Sequence, residues 1–378
     1  MKVINGIYDK NKPVPTRSAA MYYKTEPLVS GIGYHHTNNW EIVRAIQILN
    51  SLGYVVDLID RTNHDWTPKK KYDIFLGLGV GNSGRNFARY ANLSGASKKI
   101  LLAMGPQPDT SNKLTLKRYD MFRERTGKTA PPMRTVEQVT GDNFLKIVEA
   151  ADCVFNVGEK NTNSFKSYEE YGLPIFNFYP AISPKVTFNN SWLKNRDRNA
   201  FLCFAGNGFI CKGVDLVVEA FLKDSTKQLH ICGPSSEQAF FNHYNSSIAN
   251  SSNIKYHGFI EPGGERFQKL ASICSYTVFH SAAEGCCTSV ATTMRAGIVP
   301  IINSWTGISI DGCGFLMSDE GDLISNITSK TNEAAGITEE KYKLMVQNTL
   351  KKAEIFSQQS FTDSYLNALK SFLEGDKK

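Results

Sequence analysis

The chain has 378 residues, 41% hydrophobic, 21% charged and 11% aromatic. That is a globular composition, long enough for two domains, and it excludes collagen, coiled coil and wholesale disorder. No apolar run approaches the roughly 18 residues a membrane span needs, and the opening Met1-Lys2-Val3-Ile4-Asn5-Gly6-Ile7-Tyr8-Asp9-Lys10 is charged too early for a signal peptide and reads as a first strand. The net charge of +7 belongs to the first half: residues 1–195 hold 26 Lys/Arg against 17 Asp/Glu, and the rest hold 17 against 19. Such an excess suits anionic partners or serves ordinary solubility. The eight cysteines show no Cys-x-x-Cys and no His at zinc spacing, so they are expected to be buried thiols of a cytosolic protein.

In chain order, strands are expected at Val3–Tyr8, Val55–Ile59, Ile74–Gly77, Lys99–Met104, Cys153–Val157 and Ile175–Phe178. Amphipathic stretches lie between several of them, the clearest being Asn39–Leu52 with Ile42, Val43, Ala45, Ile46 and Leu49. This alternation predicts a mostly parallel sheet with helices on both faces. The polar run Asn189–Asp197 suits a linker. The pattern then restarts with strands at Phe201–Ala205, Gln228–Cys232, Ile254–Tyr256, Tyr276–Phe279 and Val299–Ile302, and Phe361, Tyr365, Ala368, Leu369 and Phe372 mark a closing helix.

Four features of the second half carry chemistry. Gly206-Asn207-Gly208-Phe209-Ile210-Cys211-Lys212-Gly213 leaves a strand and opens a helix. Glycines let backbone N–H groups approach an anion and Lys supplies a point charge for a phosphate, although a tight turn with a solvated Lys has the same sequence. Leu229-His230-Ile231-Cys232-Gly233-Pro234 ends a strand at the edge where open α/β sheets bind ligands. His257-Gly258-Phe259-Ile260 follows a short strand. Finally, His280-Ser281-Ala282-Ala283-Glu284-Gly285-Cys286-Cys287-Thr288-Ser289 ends a strand in a carboxylate and starts a helix whose free N–H groups suit a diphosphate. Read as structure only, Glu284 is a carboxylate at the positive end of a helix.

Together these features resemble the donor domain of the GT-B glycosyltransferases of the retaining, bacterial-type group (family 4, group 1-like). Gly206, Lys212, Gly213, Asp215, Glu284, Gly285, Met294, Gly297 and Pro300 fall in register with that family over roughly residues 199–310. The first half follows it by order of elements alone. Two positions depart: Asn207 stands where the family has a phosphate-binding Arg, and Thr292 stands where it has a ribose-binding Glu.

The resemblance implies an α/β fold of two Rossmann-like, doubly wound domains facing across a cleft. Residues 1–193 would be the acceptor side, 194–355 the nucleotide-sugar donor domain, and 356–378 a helix closing back toward the first domain. It also implies sugar transfer from a nucleotide-diphosphate donor, UDP- or GDP-linked, to a glycan, glycolipid or protein-linked acceptor, as in polysaccharide biosynthesis, with retention. No cofactor or metal is expected, and no nucleic-acid partner. Lys212 and Glu284 would be the catalytic pair. Gly206, Asn207, Gly208, Gly233, His257, Gly258, Phe259, Gly285, Cys286, Cys287, Thr288, Ser289 and Thr292 would bind the donor. A nucleotide-sugar 2-epimerase or an inactive nucleotide-sugar binder are the alternatives.

On the acceptor side, His36, Thr37 and Asn38 precede the best helix and Gly105 ends a strand at the same predicted edge. Thr or Asn there also reads as a helix cap. Lys113, Lys117, Arg118, Arg123 and Arg125 interleave with Leu114, Leu116, Tyr119, Met121 and Phe122. That is either a basic amphipathic surface for an anionic membrane, which would make the cytoplasmic protein peripheral at the inner face, or a solvated helix with its apolar side on the core. Gly79-Val80-Gly81-Asn82-Ser83-Gly84 matches the dinucleotide fingerprint literally, but no acidic residue ends the next strand to hold a ribose.

Overall fold

The computed structural model describes residues 2–32, 37–79, 84–133 and 139–375. It divides into two compact units. Unit 1 comprises residues 1–111, 136–181 and 358–378, and unit 2 comprises 112–135 and 182–357.

Unit 1 is built on seven strands: β1 (Val3–Ile7), β2 (Arg17–Tyr23), β3 (Tyr54–Asp60), β4 (Ile74–Leu78), β5 (Lys98–Ala103), β6 (Cys153–Val157) and β7 (Ile175–Phe178), in the order β1-β3-β2-β4-β5-β6-β7. Every pair is parallel except β1 with β3. Strand β2 went unrecognised in the sequence. Its Ala19 and Ala20 have little intrinsic strand preference, yet both are fully buried between β3 and β4, so packing overrides propensity. One core gathers Tyr22, Phe75, Phe87, Tyr90, Phe144 and Tyr168. The last helix, Gln358–Glu374, belongs to this unit and sets Phe361, Tyr365 and Phe372 against Phe155, Phe176 and Phe178 of β6 and β7.

Unit 2 holds β8 (Asp197–Phe204), β9 (Gln228–Cys232), β10 (Ile254–Tyr256), β11 (Cys274–Phe279), β12 (Val299–Asn303) and β13 (Phe315–Met317), all parallel, in the order β10-β9-β8-β11-β12-β13. Strand β13 is the other strand the sequence did not announce: it is three residues long, with Leu316 exposed. In place of a linker, Asn190–Lys194 form a short 3-10 turn that Asn189 caps, its Oδ1 accepting from Ser191 N at 2.9 Å. The chain passes from unit 1 to unit 2 earlier, between Ala181 and Ile182.

The helix Pro108–Thr126 differs most from expectation. From Asn112 onward its residues belong to unit 2, not to the unit of their sequence neighbours. Arg118, Tyr119 and Phe122 are buried there, and Arg125 is paired with Asp215 and Glu219. The reading of this stretch as a basic membrane-facing surface is therefore corrected: its aromatic side and two of its five cations serve the interior of unit 2. Among the described residues, no helix is long and apolar enough to cross a membrane. All eight cysteines are buried.

Candidate functional site

The strand order of unit 2 decides where chemistry can gather. The chain winds outward from β8 through β9 to β10, then crosses back to β11 and winds the other way. Loops leaving β8 and β11 therefore diverge over adjacent strands, at the switch point where open α/β sheets bind ligands. Those two loops carry Lys212 and Glu284. The fold brings them together: Lys212 Nζ lies 2.5 Å from Glu284 Oε1, with side-chain exposures of only 17% and 13%.

The first loop runs from Ala205 to Gly213. Gly208 and Gly213 adopt φ of +87° and +72°, a region an L side chain enters only at a cost. Lys212 N bonds Gly208 O at 3.0 Å and Val214 N bonds Phe209 O at 2.9 Å, which folds the turn tightly onto the start of the helix Val214–Leu222. Phe209, Ile210 and Cys211 are buried, so the turn is anchored from below while Lys212 rises from it. Lys212 Nζ also sits 5.6 Å from the centre of the Phe279 ring. A Cβ on Gly206 would meet only Lys212 Cε, at 3.9 Å. Asn207 is exposed, and its Oδ1 accepts from Ser236 Oγ at 2.8 Å.

The second loop is tied to its neighbour. Glu284 N bonds Trp305 O at 2.9 Å and Cys287 N bonds Thr306 O at 3.0 Å. A Cβ on Gly307 would fall 2.2 Å from Gly285 O, so these two backbones touch. The helix Thr288–Arg295 starts at Cys287. The Cys287 thiol is buried and burial pushes its pKa up to about 12, so it stays protonated; Cys286 is buried beside it. Thr288 and Ser289 are half-buried in the first turn. Thr292 is buried, its hydroxyl donating back to Thr288 O at 2.7 Å.

The remaining edge is stitched by main chain: Ala205 N to Cys232 O, Gly233 N to Gly258 O and His257 N to Ile231 O, each at 2.9 Å. Gly233 has no room for a side chain, since a Cβ would lie 2.5 Å from the Phe209 ring. His257 Nε2 is 2.9 Å from His230 Nδ1, and burial lowers the His230 pKa to about 4. Gly258 stands in open space and Phe259 is 57% exposed.

Residues the sequence reading did not assign to the donor site pack against its two loops. Arg118, 5% exposed, donates from Nη1 to His280 O at 2.8 Å and from Nη2 to His280 Nδ1 at 3.0 Å. The proton of His280 is then on Nε2, which donates to Ser318 O at 2.9 Å. Burial, reinforced by the Arg118 charge, lowers the pKa of His280 to about 4. Glu237, also buried, accepts from Tyr119 Oη at 2.6 Å and from Ile210 N at 2.9 Å. The available signal was spacing: Thr115, Arg118, Tyr119, Phe122 and Arg125 recur at helical intervals on one face.

In unit 1, Thr37 and Asn38 open the helix Thr37–Ser51, the Thr37 hydroxyl lying 3.4 Å from Asn38 Oδ1. Gly105 follows β5, and its carbonyl accepts from Tyr168 Oη at 2.9 Å. His36 lies outside the described residues, as do residues 80–83 of the dinucleotide-like match.

No family model and no curated protein sequence matches the chain. Among solved structures, it is similar to the catalytic domain of starch synthase IV from Arabidopsis thaliana bound to ADP and acarbose. The identity is 10%, the match covers 94% of this chain and 99% of that one, and the TM-score is 0.59. It is similar to a glycosyltransferase from Rickettsia africae at 13% identity, over 95% and 99% of the two chains, with a TM-score of 0.59. It is also similar to WaaG, a glycosyltransferase involved in lipopolysaccharide biosynthesis, at 13% identity over 94% and 99% of the chains, with a TM-score of 0.55. With its two mainly parallel sheets, the chain has the fold of the GT-B glycosyltransferases.

Proposed function

We propose that the chain is a glycosyltransferase that moves a sugar from a nucleotide-diphosphate donor to a glycan, glycolipid or protein-linked acceptor, with retention and without a metal. The observation that carries this reading is the Lys212–Glu284 pair at the switch point of unit 2. A cation and a carboxylate held together there neutralise one another until a ligand with both a phosphate and a polyol separates them. The diphosphate takes Lys212 and the N–H groups at the start of the helix Thr288–Arg295. The sugar hydroxyls donate to Glu284. As the bond from the anomeric carbon to phosphate oxygen breaks, negative charge grows on the leaving diphosphate, where Lys212 and the helix N-terminus are aimed. The backbone around Gly233 and His257–Phe259 faces the base, and acceptor recognition is assigned to unit 1, with Thr37, Asn38 and Gly105. Starch synthase bound to ADP supports a nucleotide-diphosphate ligand for this fold.

The test is turnover of UDP-, GDP- and ADP-linked sugars with and without magnesium. Lys212→Ala and Glu284→Ala should each lower turnover at least a hundredfold, as expected for the loss of one preorganised charge-stabilising group. Full activity in either variant would remove the assignment. A second reading, binding without turnover, is favoured by Asn207 and Thr292, whose side chains are both hydrogen-bonded within the protein, Asn207 at the surface and Thr292 buried. It predicts saturable nucleotide binding and no transfer of any donor.

A further inference from the structure

The loop from Gly206 to Gly213 contains three glycines, and a chain so rich in glycine loses much entropy when it is fixed in one shape. Something outside the loop holds it. The face of the helix Pro108–Thr126 that points into unit 2 meets the loop, or the elements flanking it, at four places. Thr115 Oγ1 lies 3.9 Å from Cys211 Sγ. Tyr119 reaches Glu237, which in turn holds Ile210 N. Arg125 pairs with Asp215, a wholly buried residue in the first turn of the helix Val214–Leu222. Arg118 grips His280 at its carbonyl and ring nitrogen.

The Arg118 contact is closest to the chemistry. A Cβ on Gly213 would lie 2.2 Å from His280 O and 2.7 Å from Arg118 Nη1. Gly213, His280 and Arg118 thus pack without a gap, and Lys212 directly precedes Gly213 in the chain. His280 is likewise four residues before Glu284, and the Ala282 N–H between them bonds Cys211 O at 2.8 Å. One guanidinium therefore locks the two loops that carry Lys212 and Glu284. A planar fork with fixed donors does this where an ammonium, a point charge, does not.

We infer that Arg118 is a positioning residue of the donor site: a helix from the first half of the chain braces the Lys212 and Glu284 loops in the geometry that receives a diphosphate. This rests on reading the site as a nucleotide-diphosphate site. It assigns a role to a residue that does not touch the ligand and acts through His280 and Gly213.

The experiment measures dissociation constants of UDP, GDP and ADP, and of uridine, guanosine and adenosine, for the wild type, Arg118→Gln and Arg118→Lys. For the nucleotide the wild type takes, Arg118→Gln should weaken the diphosphate at least tenfold and the nucleoside less than twofold, with Arg118→Lys in between. A purely structural role would weaken both ligands by the same factor, and that result, or unchanged diphosphate affinity, overturns the inference. If Arg118→Gln does not fold, Tyr119→Phe removes only the hydroxyl that reaches Glu237. It should show the same selective loss at about threefold, and equal losses would again overturn it. A wild type that binds none of the three diphosphates removes the functional reading itself, and the inference with it.

Discussion

The two sheets follow the same mainly parallel, doubly wound plan, but the side chains gathered beside them differ in character. In unit 2 the edge is polar and tightly stitched: Lys212 faces Glu284, main-chain hydrogen bonds join Ala205, Gly233 and His257 to neighbouring strands, and Arg118 and His280 lie beneath. In unit 1 a mostly apolar recess between the sheet and the helices Thr37–Ser51 and Gln358–Glu374 is lined by Met21, Tyr23, Ile42, Met104, Phe178 and Phe361, with Glu41 and Tyr365 among its buried polar members. Glu41 Oε1 accepts from Ala181 N at 2.9 Å, whereas the Tyr365 hydroxyl has no hydrogen-bond partner among the described residues. The comparison teaches that strand order places a site but leaves its character to the loops.

The largest expected test of the contrast is pH. Burial holds His230 and His280 near a pKa of about 4, against an ordinary 6.5. Below pH 6.5 the unfolded chain takes up protons the folded one refuses, so unit 2 loses stability as pH falls from 6.5 toward 4. Each histidine accounts for up to about 3 kcal/mol. Glu41 has the opposite sign. Burial raises it from 4.5 to about 7, so the unfolded chain releases its proton first, and unit 1 loses up to about 3 kcal/mol as pH rises from 4.5 to 7. Hydrogen exchange, corrected for intrinsic rate, should show protection falling on acidification in β9 and β11 and rising in the helix Thr37–Ser51. Protection moving the same way in both units would break the comparison.

A glycine in each unit gives a second, smaller contrast. Gly213→Ala combines a left-handed φ with contacts of 2.2 and 2.7 Å to His280 and Arg118, and it should destabilise the protein by about 2–3 kcal/mol. At Gly105 a Cβ meets nothing within 4 Å, so Gly105→Ala should stay within about 0.5 kcal/mol of wild type. Urea midpoints of the two variants decide this, and equal losses would show that the unit 2 loop relaxes freely. The smallest effect belongs to Tyr365→Phe. Removing a buried hydroxyl that bonds nothing among the described residues should leave thermal stability unchanged or raise it by up to about 1 kcal/mol. A loss of more than that would mean the hydroxyl has a partner such as a buried water.

Much of this molecule follows from the sequence alone. Apolar runs at strand length announced eleven of the thirteen strands, because Val, Ile, Leu and Phe flanked by turn residues have few other uses. Gly206, Lys212, Glu284 and Gly285 were singled out together through their resemblance to the GT-B donor domain, and the fold sets Lys212 beside Glu284. Tertiary structure decided the rest. Ala19 and Ala20 became the centre of a sheet because both faces were covered, which no local preference encodes. Arg118 and Arg125 read as surface cations because charge is normally solvated. Arg118 is instead buried in unit 2 and Arg125 is half-buried there, and Asp215, Glu219 and the His280 carbonyl compensate them from positions about 90 to 160 residues away. The spacing of a helix can show which side chains share a face, but what that face meets is fixed only when the chain folds back on itself.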